Sequence, residues 1–217
     1  KRQVLYQESR WSFGGEHTSS ELGLEMDATF PNLWSAGLIL ETSLSALDTR
    51  ELRGGPALRT DATAAAGLMI SSNTAKDFYG EAGFMHSYLG MEGSRGDMAM
   101  LGLTWLPARR LRLSVMSELE HRNYHQQYVT TLSTSPEPGG GSAVGGNEST
   151  EYVVGRIDRH TLSLSFRGEL FITPVLSIQY YGSPYYSVGK YDRFRKAGNT
   201  GSNNISERLP LLDVSYD

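Results

Sequence analysis

Five histidines, 24 carboxylates and no cysteine bound the chemistry open to this 217-residue chain. Without thiols there is no disulfide and no thiolate ligand, so a metal would have to be held by histidine and carboxylate. The tightest grouping is His121 and His125 beside Glu118 and Glu120. Their i,i+4 spacing converges on a helix but spreads over about 13 Å along an extended strand. They are therefore not expected to form a ligand pair, and His17, His86 and His160 are scattered along the chain. Asp158 and His160 flank Arg159, yet no nucleophile stands beside them, so a hydrolytic dyad is not indicated. The residues assign no catalytic group, no metal ligand and no cofactor.

Binding chemistry is better represented. Arg53 and Arg59 flank Gly54-Gly55-Pro56, a sequence made for a turn because glycine allows positive φ and proline stiffens the exit. The two guanidinium groups could clamp a carboxylate, a phosphate or an acidic sugar, or pair with acidic residues of the same fold. Tyr181, Tyr185, Tyr186 and Tyr191, with Tyr180, cluster around Gly182, Pro184 and Gly189. Their flat faces and hydroxyls suit stacking on sugar rings or on a partner protein, and equally suit an interfacial aromatic belt. The stretch Ser133 to Thr150 is rich in glycine and proline and has no Gly-Lys-Ser/Thr ending, so it is not a phosphate-binding loop. A net charge of -4 argues against nucleic acid as a partner.

The elements that would position these groups are strands. From Ser20 to Phe30, Leu22, Leu24, Met26, Ala28 and Phe30 fall on one face, while Glu21, Glu25, Asp27 and Thr29 fall on the other. Similar period-two alternation runs over Leu33–Leu47, Asp61–Ser72, Asp77–Tyr88, Asp97–Leu106, Leu111–Arg122, Arg159–Ile172 and Val175–Gly182. Lys1–Phe13 reads as the tail of an earlier strand. Connections alternate in length: short at Pro31, Ala75, Ala108 and Pro174, longer at Leu89–Gly96, and long near 48–60, 123–158 and 183–217.

Sorting of loops by parity predicts an all-β antiparallel transmembrane β-barrel, with short periplasmic turns and long external loops. About eight strands are visible, and the chain reads as one barrel region, 1–217, belonging to a larger barrel. The apolar face would meet outer-membrane lipid. Glu21, Glu25, Asp27, Glu41, Glu81, Arg112, Glu118, Glu120, Arg167 and Glu169 would face the lumen, with Arg122 beside them. Trp34, Trp105 and Tyr88 lie near strand ends, where an aromatic girdle belongs. A mean hydropathy of -0.36 suits strands that are half polar, and no apolar run is long enough for a transmembrane helix. A soluble binding barrel would use the same strands with the faces reversed.

Several pieces in order also resemble a known family. They are Leu52-Arg53-Gly54-Gly55-Pro56-Ala57, Gln127-Tyr128-Val129, Tyr152-Val153-Val154-Gly155-Arg156-Ile157-Asp158, Thr161 to Arg167, Ile172-Thr173-Pro174 and Gln179 to Tyr191. Together they resemble the C-terminal barrel region of the DUF5916 family, outer-membrane proteins common in Bacteroidota. The resemblance implies an N-terminal domain similar to a family 9 carbohydrate-binding module, and further final strands, outside this chain. It supplies no reaction and no catalytic residues. The expected function is a barrel of a Gram-negative outer membrane that transports or binds glycans or other nutrients, or serves in a complex with other envelope proteins. The alternative is a structural or assembly subunit anchoring a periplasmic domain. A barrel hydrolase is a weaker expectation.

Overall fold

Alternation with period two becomes an antiparallel meander in the computed structural model, which describes residues 1–134 and 149–212. The strands are β1 (Arg2–Trp11), β2 (His17–Thr29), β3 (Ser35–Ser43), β4 (Ala46–Asp48), β5 (Leu58–Thr60) and β6 (Thr63–Ser71). They continue with β7 (Phe78–Tyr88), β8 (Arg95–Ala108), β9 (Leu111–Thr134), β10 (Ser149–Thr173), β11 (Leu176–Gly182) and β12 (Tyr185–Lys196). Among the described residues helix is confined to a 3-10 turn at Met91–Gly93 and one short α-turn, α1 (Ile205–Arg208). The main sheet runs β1-β2-β3-β6-β7-β8-β9-β10-β11, with β12 also paired to β10. β4 and β5 form a separate hairpin.

Four features differ from the sequence expectation. Lys1–Phe13 holds a complete strand, β1, paired with β2 from Arg2↔Asp27 to Trp11↔His17. The span expected as a long loop over 123–158 is largely strand, because β9 continues to Thr134 and β10 begins at Ser149. The residues between them, including Pro136, Pro138 and Gly139–Gly141, lie outside the described part. Alternation fades in this region because neither face there meets a uniform environment. Val153 and Val154 are consecutive and both buried, across a register shift. The segment from Ser183 onward also begins as strand. β11 pairs with Phe166–Thr173 and β12 with Val153–Ser163, so the two share one lane along β10. Pro184 has no N–H to give the ladder, but its carbonyl still accepts from Leu164 N at 2.9 Å. Finally, the sheet is open. Among the described residues no pairing joins β1 to β11 or β12, and a barrel closes only when its last strand pairs with its first.

Register decides what shares a face. Leu24 stands between Leu5 and Leu40, and Glu25 between Val4 and Ile39. Propagated across the sheet, this gives one apolar and one mainly polar face. On β1 the apolar face thins, since Gln3 and Gln7 flank Leu5 there. Among the described residues neither face is covered by a second layer of secondary structure. The buried core lies instead at the long-loop end, where Leu52, Leu58, Met91, Val154 and Leu209 pack with Tyr152, Ala197 and Ile205. This cap is built from the 48–60 connection, the 3-10 turn, the ends of β9 and β10, and α1.

Candidate functional site

All ten residues expected to line a lumen fall on the same sheet face. Glu21, Glu25 and Asp27 are in register with Ser43, Ile39 and Gly37, and Glu41 follows on β3. Glu81 opposes Ser71 and Gly102. On the far strands, Arg112 opposes Glu169, Ser114 opposes Arg167, Glu118 opposes Ser163 and Glu120 opposes Thr161. Arg159 grips Glu120 with NH2 at 3.1 and 3.0 Å from the two oxygens. At the other edge Tyr6 donates to Glu41 at 2.6 Å. Its ring lies where a β-carbon on Gly23 would sit, so a larger residue there would push the Tyr6 ring aside. Between these charged margins lies a strip that polarity alone did not reveal. Met69, Met85, Met98 and Met100 lie on the same face beside Ile39, Gly37, Gly67 and Gly83, and floor a hollow of about 340 Å³ edged by Glu25 and Asp27. Strict parity would have placed these methionines on that face.

Arg53 and Arg59 do not share a partner. Arg53 lies over the Tyr128 ring, 4.8 Å from its centroid, with φ at 46°. Arg59 donates from Nε to the Gly201 carbonyl at 2.9 Å and from NH1 to Ser45 Oγ at 3.3 Å. Both tie loops together. The tyrosines divide between faces. Tyr181, Tyr185 and Tyr191 are in register with Arg167, Ser163 and Ile157 on the polar side, and Tyr186 with Leu162 on the apolar side. Arg167 approaches the Tyr181 ring at 5.7 Å.

The cap carries its own buried charges. Arg195 is clamped by both oxygens of Glu92 at 2.8 Å and donates to the Leu209 carbonyl at 2.9 Å. Glu92 itself is held at φ 47°, a left-handed conformation that a non-glycine residue keeps only when its surroundings enforce it. His125 is buried beside this pair, its Nδ1 3.5 Å from Glu92. Burial pushes the imidazole below its ordinary pKa of 6.5, with the Glu92 carboxylate pulling the other way. A histidine lowered on folding takes up its proton first in the unfolded chain. Cap stability is therefore expected to be full above about pH 6.5 and to fall as pH drops below it, levelling off under the folded pKa. Hydrogen exchange of residues 196–212 between pH 5 and 7.5 would show this. His125→Gln should flatten the profile, and an unchanged slope would remove His125 as its cause.

The most concentrated chemistry lies where neither composition nor spacing pointed. His86 opposes Asp97, Asp97 opposes His121, and His121 opposes His160, on four adjacent strands. All sit on the apolar face, at its margin toward the long loops. His86 Nδ1 is 2.6 Å from Asp97 Oδ1, and the second Asp97 oxygen is 4.0 Å from His121 Nδ1. His121 Nε2 is 3.0 Å from Asp158 Oδ1, which also lies 3.6 Å from His160 Nε2. The His121 and His160 rings are stacked at 4.2 Å and 1°. Below them an open groove of about 370 Å³ is lined by Phe84, Ala99, Leu119, Leu162 and Tyr186. His86 and His160 are thus not scattered. Cross-strand register, invisible in linear order, brings them together. His125 lies apart from this row, in the cap.

No family model, curated protein or solved structure matches this chain.

Proposed function

We propose that this sheet is wall of a bacterial outer-membrane β-barrel, its apolar face against lipid and its charged face toward an aqueous lumen. The apolar face carries the reading. Leu68 is 64% exposed, Leu119 58% and Ile178 57%, within a continuous surface that includes Phe84, Leu101, Leu113 and Phe166. Leaving one such side chain in water rather than burying it costs about 1.5–3 kcal/mol, and an uncovered apolar surface of this extent marks a site of interaction. Its height fits a bilayer. On β8 it extends from Trp105, through Leu103, Leu101 and Ala99, to Asp97. The eight steps from Asp97 to Trp105 span about 27 Å along a strand, less once tilted, against an apolar band of about 25 Å in such barrels. Phe78 and Trp105, directly paired, mark the short-turn rim together with Phe30 and Trp34.

The lumen would then carry Glu25, Asp27 and the methionine strip on one side and mixed arginine–glutamate pairs on the other. Such a wall suits a polar, weakly charged solute. This is the basis for a transport or binding barrel for glycans or other nutrients, the role in keeping with the DUF5916 resemblance. Among the described residues the outer edges of β1 and of β11 and β12 are unpaired, which favours a second reading, a subunit whose wall is completed by another envelope protein.

Purification of the full-length protein from outer membranes, with identification of co-purifying proteins and bilayer conductance, tests these roles. A detergent-dependent barrel with solute-sensitive conductance is expected. A stable set of partners without conductance would transfer the assignment to assembly. Solubility without detergent would sink the membrane reading and favour a soluble barrel with the faces reversed.

A further inference from the structure

We propose that His121, Asp158 and His160 bind a divalent transition-metal ion of zinc's borderline character. One nitrogen from each imidazole and one carboxylate oxygen lie within 4.8 Å of one another. Two imidazoles and a carboxylate are a donor set that zinc uses in sites with an open fourth position.

Three further observations point the same way. His121 directs Nε2 into the cluster and leaves Nδ1 4.0 Å from Asp97, longer than a hydrogen bond but with a carboxylate on the side where the outer-sphere partner of a metal-binding histidine stands. Asp97 is held in turn by His86 at 2.6 Å. His121 and His160 are directly opposed across the β9–β10 ladder, so two rigid strands set their separation. A pair on neighbouring strands can converge where a pair along one strand cannot.

Parallel rings do not aim their lone pairs at one point, so the site closes by rotation of one ring. His160 is free to supply that movement, its side chain being 64% exposed. Metal–nitrogen bonds of about 2.0–2.1 Å require the donors to draw to within about 3.4 Å of one another. The His121–Asp158 separation of 3.0 Å already meets this and the His160–Asp158 separation of 3.6 Å nearly does. The fourth position is left to water or an exogenous oxyanion, His160 being the exposed side of the cluster. Nothing in this geometry depends on whether the apolar face meets lipid, so the two proposals fail independently.

The test uses the full chain in detergent after chelator treatment, with Zn²⁺ titrated against a chromophoric chelator. One equivalent should bind. His160→Ala and His121→Ala should each weaken binding by more than tenfold, and Asp97→Asn by roughly tenfold through the outer sphere. His17→Ala should leave it unchanged. The wild-type zinc X-ray absorption edge should show two imidazoles, a readout that survives if a variant misfolds. Absence of stoichiometric binding, an edge without imidazole scattering, or affinity that persists in both histidine variants would each overturn the site.

Discussion

Leu24→Arg should largely keep the chain out of the membrane, while Glu25→Arg should leave insertion intact. The two residues are neighbours on β2, so chain position is matched, and Glu25→Arg makes the larger change in charge (+2 against +1) yet is expected to have the smaller effect. They differ in the face they occupy. Leu24 lies between Leu5 and Leu40 on the apolar side, and Glu25 between Val4 and Ile39 on the charged side. An arginine facing lipid near mid-bilayer costs roughly 2–4 kcal/mol, whereas one in a polar lumen costs little. Folding into vesicles, followed by gel mobility with and without heating and by flotation, reads the difference. Equal effects from both substitutions would mean that the faces are wrongly assigned. Assembly without vesicles or detergent, with loss only in Leu24→Arg, would place the apolar face inside a soluble barrel.

Asp61→Ala is expected to unfold the cap while the sheet persists. Arg208 is 1% exposed. It donates NH2 to Asp61 at 2.8 Å and NH1 to the Ser202 carbonyl at 3.1 Å, while its Nε has no partner among the described residues. Removing the carboxylate leaves the buried guanidinium without its counter-ion, with the Ser202 carbonyl still accepting from it. Breaking one side of such a buried pair costs about 3–5 kcal/mol, and the lower figure applies because Asp61 is partly solvated. Faster hydrogen exchange and proteolysis in residues 196–212, with β2, β3 and β6 unchanged, would report the loss. Arg208→Met in the Asp61→Ala background should restore much of it, since an apolar side chain of similar length needs no counter-charge. A cap unmoved by Asp61→Ala would mean that the ion pair is incidental and that Leu52, Leu58 and Leu209 hold it alone.

The sequence declared its strands wherever the two faces of a strand meet different surroundings. β2, β6 and β7 begin and end within a few residues of their alternating segments, because a one-residue slip there would exchange apolar and charged faces. The same rule explains the failures. Beyond His121 on β9 and before Asp158 on β10 the strands enter the cap, where consecutive residues such as Val153 and Val154 are both buried and period two is lost. Backbone pairing continues there without its sequence signature. β1 was obscured by Arg2, Glu8 and Arg10, since an edge strand can carry charge at little cost.

Composition and periodicity thus determined the all-β class, the eight strongly alternating segments and a common face for the ten charged residues. Local sequence could do this because alternation is a property of one strand by itself. Tertiary structure decided the rest. His86 and Asp97 are 11 residues apart in the chain, and His121 and Asp158 are 37 apart. They meet because hydrogen-bonded register sets which residues of neighbouring strands lie opposite, and register is a property of pairs of strands. The cap likewise joins Arg208 to Asp61 across 147 residues, a contact made only when the chain's far end folds back over its first long loop.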